Sequence, residues 1–151
     1  MSPPPTPTES ITAIPLPDRI RRFLDTTNFA TISTIDPDGA PRQAVIWYTL
    51  EGDELVVNSH VGRRWPANLQ RDPRVSLAIV DRDDGYRWLG IVGIAAAVTD
   101  PAVAQADIAG MARRYHAHEP AKAERLIRDR FERQERISFR IHPLQIHEHL
   151  D

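Results

Sequence analysis

The run FATISTI-DPDG-APRQAVIWYTL-EGD-ELVVNSH, residues 29–60, alternates strand and turn signals. Residues 29–35 are rich in β-branched side chains, which suit a pleated strand. Asp36-Pro37-Asp38-Gly39 is a strong turn, because Pro37 fixes φ and Gly39 accepts a positive one. Residues 42–50 predict a second strand. Ala44, Ile46, Tyr48 and Leu50 share one of its faces; Gln43, Val45, Trp47 and Thr49 share the other. Glu51-Gly52-Asp53 turns the chain again, and residues 55–59 form a third strand. Three strands joined by two short turns predict an antiparallel meander.

Upstream of this run, Asp18 is placed to cap a short helix whose Ile20, Phe23 and Leu24 share one face. Six of the 13 prolines fall within the first 17 residues. Proline joins neither a sheet ladder nor a helix interior, so residues 1–16 predict a disordered tail and 17–151 a single domain. Downstream, residues 62–69 (GRRWPANL) predict a loop running into a short helix, with Pro66 in its first turn. Asp72-Pro73 ends it, and residues 75–80 and 87–98 follow as apolar strands. Gly90 and Gly93 suit a bulge in the longer one. Asp100-Pro101 opens a helix to about residue 118, and a second covers about 121–133. Residues 137–141 and 144–149 close the chain as two strands. The whole predicts a mainly β protein: a six- or seven-stranded antiparallel split β-barrel with peripheral α-helices.

Composition narrows the chemistry. The chain of 151 residues is 41% hydrophobic and 26% charged, enough for one packed domain. It has no cysteine, which removes thiolate metal sites, cysteine nucleophiles and CxxC redox chemistry. Of its 19 basic residues only Lys122 is lysine, so any anion must be held by arginine. A net charge of −2 gives no global attraction to nucleic acid or membrane. The N-terminus has neither the basic nor the apolar region of a secretory signal, and the longest apolar run, 89–98, is too short for a membrane helix. A cytoplasmic protein is expected.

Ser59, Arg63, Arg64, Trp65 and Asn68 form the densest candidate cluster. There a strand ends, a glycine turns the chain and a helix begins, so free amides, two guanidiniums, a hydroxyl and an amide gather where a phosphate would bind. A solvated basic helix start is the plain alternative. Trp47, Tyr48, Trp65, Tyr86 and Trp88 could line a slot for a planar ligand, though an ordinary barrel core or subunit interface is the plainer reading of the residues alone. His147 and His149 share a strand face, with His142 nearby, but lack a third ligand, so no metal site is assigned. Tyr115, His116 and His118 at a helix end suit acid–base work or a helix cap. No G-x-S-x-G, H-E-x-x-H or G-x-G-x-x-G occurs, and no catalytic residue is assigned.

Three blocks together carry a family likeness: Thr34-Ile35-Asp36-Pro37-Asp38-Gly39-Ala40-Pro41, then Ser59-His60-Val61-Gly62-Arg63-Arg64-Trp65, then Asn68-Leu69-Gln70-Arg71-Asp72-Pro73-Arg74-Val75. With Asp83-Asp84-Gly85-Tyr86, they make residues 18–149 resemble the pyridoxamine-phosphate-oxidase-like split β-barrel family. The likeness is greatest to the actinobacterial branch that uses the deazaflavin coenzyme F420. The resemblance implies a homodimer with two cofactors in grooves between subunits. It implies a phosphate at Ser59, Arg63, Arg64, Trp65 and Asn68, and a flat ring along Arg42, Gln43, Ala44, Val45 and Trp47. Tyr86 and Trp88 of the partner subunit would complete the pocket. Many relatives carry a lysine where Trp65 stands, which leaves the charge to Arg64 and frees Trp65 to stack on the ligand.

The function implied is an F420H2-dependent oxidoreductase that passes a hydride to a small conjugated or planar molecule. The cofactor would carry the chemistry, which agrees with the lack of a triad or metal cluster in the sequence. An FMN enzyme of the same fold and a non-catalytic flavin, F420 or tetrapyrrole carrier are the alternatives.

Overall fold

The computed structural model describes residues 14–151. Most of the Pro-rich tail expectation therefore lies outside the described residues. Residues 14–16 belong to the fold: Leu16 is buried in the core, its amide donates to Asp53 Oδ1 at 3.0 Å, and the Ile14 amide bonds the Pro143 carbonyl. The domain thus takes in residues ahead of the expected boundary at 17.

Helix α1 spans Asp18–Asp25, with Pro17 rather than Asp18 at the cap, and buries Ile20, Phe23 and Leu24 as expected. Strands β1 (Ala30–Ile35), β2 (Pro41–Ile46), β3 (Thr49–Glu51) and β4 (Glu54–His60) follow. Helix α2 covers Arg64–Arg71, strand β5 Arg74–Val80 and strand β6 Trp88–Val98. Helices α3 (Pro101–Tyr115) and α4 (Pro120–Asp129) and a 3-10 turn (Phe131–Arg133) precede the last strand, β7 (Arg136–His149). One antiparallel sheet holds all seven strands in the order β2-β1-β5-β6-β7-β4-β3. The expected mainly β, seven-stranded architecture with outlying helices is the one observed.

The expected meander is not. The strand predicted over 42–50 breaks at Trp47-Tyr48, and its halves lie at opposite edges of the sheet: β2 pairs with β1, β3 with β4. Tyr48 causes the break. Its amide leaves the ladder to donate to the Tyr115 hydroxyl at 3.2 Å, while its own hydroxyl donates to the carbonyls of Leu24 at 3.0 Å and Thr26 at 3.2 Å. The whole side chain is buried, so each polar atom needs these partners. The split of the barrel is thus fixed by a tyrosine that alternation alone assigns to a strand face.

The two expected closing strands are one 14-residue strand. Its pairing with β6 slips between Val92 and Gly93: Val92 faces Gln145, but Gly93 faces Pro143. This is the bulge that the glycines predicted. The core lies between α1 and the inner sheet face, where Leu24, Ile32, Tyr48, Leu55 and Phe139 have less than 2% exposure. A second cluster packs α3 and α4 on β4 through Val56, Ile108, Met111 and Ile127. The Asp100 side chain caps α3, accepting from the Ala102 amide at 2.9 Å.

Candidate functional site

Strand β4 ends at His60, Gly62 turns with φ +105°, and Arg63 caps α2. Only glycine takes that φ without strain. The turn divides the expected phosphate cluster into an inward and an outward part.

Asn68 faces inward and is 1% exposed. Its amide donates to Thr34 Oγ1 at 3.1 Å and Asp36 Oδ1 at 2.9 Å, and its carbonyl accepts from Arg71 at 3.1 Å. The other oxygen of Asp36 accepts from Arg42 Nη2 at 2.9 Å and lies 3.7 Å from Arg64 Nη1. The sequence cluster thus contains its own anion. Arg42, Arg64 and Asn68 are held on Asp36, at the edge of an open basin of about 630 Å³ that Asp38 and Arg71 also line. Arg42 first, then Asn68, holds the Asp36 carboxyl below its ordinary value against the opposing effect of burial. A depressed carboxyl contributes stability above its unfolded value near 4 and loses it as pH falls through the folded one. Unfolding midpoints measured from pH 6 to pH 3 are therefore expected to fall more steeply in the native protein than in Asp36→Asn.

Arg63 stands between this basin, which it also lines, and a second cavity. Its Nε donates to His60 Nε2 at 3.0 Å, and no carboxylate among the described residues pairs with it. The second cavity, of about 260 Å³, lies between the ends of β2 and β4. Phe29, Val45, Trp47, Ile108 and Met111 form the apolar side of this cavity. Arg63, Arg130 and Arg136 form the cationic side, with His60 beside Arg63. Arg136 donates to Asn58 Oδ1 at 3.0 Å and Gln134 Oε1 at 2.6 Å, and its guanidinium stands 4.9 Å from the Phe131 ring centre. Burial, then the charges of Arg63 and Arg130, push its pKa down to about 10. Neither Arg130 nor Arg136 was a sequence candidate. The usable signal is the register His60↔Arg136, which appears only once β4 is known to pair with β7.

The aromatic expectation divides as well. Trp65 is 4% exposed and packs on Phe139 with ring centres 6.1 Å apart, so it belongs to the core and offers no face for stacking. Trp47 is stacked on Tyr115 at 5.0 Å and meets Phe131 edge-on. The Tyr115 hydroxyl donates to the Asn28 carbonyl, and burial raises its pKa, which makes it structural rather than an acid–base group. Ser59 is buried, and its Oγ has no hydrogen-bond partner.

The expected ring-binding residues lie on two faces. Ala44 points inward with Ile46, whereas Gln43 and Val45 point out beside Ser33 and Thr31. Gln43 and Trp88 line a groove of about 770 Å³ on the outer sheet face, with Ser76, Gly90, Gln145 and His147. Trp88 stacks on His149 at 4.9 Å, and His147 lies against both rings, so the i, i+2 histidines complete an aromatic stack. Tyr86 is 91% exposed on the loop ahead of β6. Among the described residues no three metal-ligating side chains gather, and no helix is long and apolar enough to cross a membrane.

No curated protein sequence matches the chain significantly. Among solved structures, one named as an F420 reductase matches with a TM-score of 0.69 at 22% identity, over 87% of this chain and 98% of that one. The conserved hypothetical protein Rv2991 from Mycobacterium tuberculosis matches with a TM-score of 0.71 at 23% identity, over 92% and 87%. HutZ, a heme storage protein from Vibrio cholerae, matches with a TM-score of 0.67 at 20% identity, over 89% and 95%. These likenesses show a shared fold. The family profile of pyridoxamine 5'-phosphate oxidase matches residues 16–149, nearly the whole described chain. The chain belongs to the pyridoxamine 5'-phosphate oxidase family.

Proposed function

We propose that this protein is an F420H2-dependent oxidoreductase that reduces a small conjugated or planar substrate. The observation that carries the reading is Arg63, a cation at the turn between β4 and α2 that no carboxylate among the described residues pairs with. The residues present suit an anionic, planar cofactor. Arg63 supplies permanent charge, and β2, at the sheet edge, leaves backbone groups free for a ring edge. Reduced F420 supplies the hydride when bound. The protein's own part is to hold the charge at Arg63, to lay the ring along the edge of β2, and to keep water from it with the apolar wall of Phe29, Val45 and Trp47.

The protein works as a homodimer in this reading. Val45, Val80 and Val92 stand exposed on the outer sheet face, at 73%, 39% and 48%, and a second copy would cover them and bring Tyr86 and Trp88 to the neighbouring groove. FMN is the alternative cofactor, since the same cation would accept its phosphate.

One titration tests this. F420 and FMN are each added to purified protein, with tryptophan fluorescence and cofactor absorbance as readouts, at low and high salt. F420 is expected to bind more tightly than FMN and to weaken as salt rises. If neither binds, the reading falls.

A further inference from the structure

We infer that Arg130 and Arg136 make the cavity between the ends of β2 and β4 a substrate seat, and that they select substrates carrying a carboxylate on a planar apolar body. That the occupant is the substrate rests on the function proposed above; the seat itself rests on the molecule's own geometry. Arg130 follows α4 and Arg136 opens β7, and the fold brings both to the cavity whose apolar side is Phe29, Val45, Trp47, Ile108 and Met111. Arg63 lines this cavity and the basin beside α2 alike, so it stays with the cofactor. Arg130 and Arg136 line this cavity and not that basin.

Arg136 is built into the seat. Its Nε donates to Asn58 Oδ1 and its Nη1 to Gln134 Oε1, and the Phe131 ring lies against its guanidinium. Asn58 is fixed in turn: its amide donates to the Ala104 carbonyl at 2.9 Å and to Ser138 Oγ at 2.8 Å, and Ser138 donates to Asp107 Oδ2 at 2.7 Å. Both Asn58 and Ser138 are buried, so this network sets the plane of the guanidinium. Its direct partners are neutral and leave the charge uncancelled, and Nη2 makes no hydrogen bond among the described residues. Arg130 makes no side-chain hydrogen bond or ion pair among them either. Burial, then the charges of Arg63 and Arg130, weigh on Arg136, a cost that an entering anion relieves. A carboxylate matches the open guanidinium edge in shape and charge. The apolar side asks for a hydrophobic body, and its size limits that body. A cavity of about 150 Å³ holds benzene, so about 260 Å³ suits an acid of one or two rings. Strand β2 lends Val45 to the cavity, so a cofactor ring laid along its edge would border the seat.

The test reads binding rather than turnover. Benzoate, cinnamate and naphthoate, each beside its methyl ester, are titrated into purified protein with and without F420, followed by tryptophan fluorescence and melting temperature. At least one acid is expected to bind the native protein roughly tenfold more tightly than its ester. Arg130→Gln and Arg136→Gln are each expected to lower that acid's affinity roughly tenfold, about one charged hydrogen bond, and to leave the ester unmoved. Arg125→Gln, which removes the same charge from an exposed position of α4, is expected to bind as the native protein does. Should Arg136→Gln fail to fold, Arg130→Gln decides. F420 and FMN affinity is expected to stay within about twofold in Arg130→Gln. Acids that bind no better than their esters, or native acid affinity in the variants, overturn the seat and leave the cofactor reading standing. Equal losses of acid and of cofactor give these arginines to the cofactor and overturn the seat as well. Acid binding that depends on Arg130 in a protein binding neither F420 nor FMN supports the seat and overturns the cofactor reading.

Discussion

Gly93→Val is expected to destabilise the fold by about 3 kcal/mol or more, at the upper end of what overpacking costs. The reason is the close approach at the β6–β7 bulge. A Cβ at Gly93 would meet the His142 carbonyl oxygen at 2.5 Å and Ile141 Cγ2 at 3.1 Å. The first obstacle is backbone in the middle of a 14-residue strand, so it cannot swing aside as a side-chain end would. Relief requires β6 and β7 to move apart or the register to slip, and a slip of one residue turns Ile141 and Phe139 out of the core. Gly90 is the contrasting position. Its added Cβ would meet a Trp88 ring atom at 3.1 Å, which can shift on an outer face, so Gly90→Ala is expected to cost under about 1 kcal/mol. Denaturant unfolding of the two variants measures the difference. A Gly93→Val protein as stable as the native one would show that the bulge is not a fixed feature.

The parts of the fold legible in the sequence are those set by neighbours in the chain. Asp100-Pro101 starts a helix because the cap and the proline act on the next turn, and the carboxylate does accept the Ala102 amide. Gly93 foretold a bulge because its missing side chain has a local use. The break at Trp47-Tyr48 was not legible. Alternation runs unbroken from Arg42 to Leu50, and the strand stops where Tyr115, 67 residues later, offers its hydroxyl to the Tyr48 amide and the Leu24 and Thr26 carbonyls take the Tyr48 hydroxyl. The loss of the meander follows from those distant bonds.

The candidate site shows the same division. The loop of residues 59–68 reads as a candidate anion site from its composition. Which of its cations stay free is not legible there, because that depends on Asp36, some 30 residues upstream, reaching Arg64 and Asn68 across the β1–α2 contact. Arg130 and Arg136 were invisible for the mirror-image reason: nothing in their own neighbourhood marks them, and only the β4–β7 register sets Arg136 beside His60. Stacking by Trp65 is expected because it stands where many relatives carry a lysine. Its burial on Phe139 is a fact of packing that spacing does not carry.

Asn68→Ala separates these two views of the loop, and is expected to destabilise the protein by about 2–3 kcal/mol while leaving cofactor affinity within about twofold in the folded protein. The amide satisfies three groups at once: the Thr34 hydroxyl, the Asp36 carboxylate and the Arg71 guanidinium. At 1% exposure no water replaces it, so its removal leaves polar groups short of partners between β1 and α2. A phosphate ligand in this position would behave differently: stability would change little, and affinity would fall by roughly tenfold or more, as for the loss of a charged hydrogen bond. Asn68→Asp sharpens the contrast. A second carboxyl 2.9 Å from Asp36 Oδ1 repels it when both are ionised, so one of the pair titrates above the ordinary carboxylate range. A raised carboxyl favours folding once protonated, so the penalty is present at neutral pH and is relieved as pH falls through the raised value. Unfolding of Asn68→Asp is therefore expected to become harder, relative to the native protein, between pH 7 and pH 5, opposite in sign to the acid weakening that Asp36 gives the native chain. If instead Asn68→Ala loses cofactor at unchanged stability, Asn68 holds the ligand rather than the fold, and the reading of Asp36 as its partner falls.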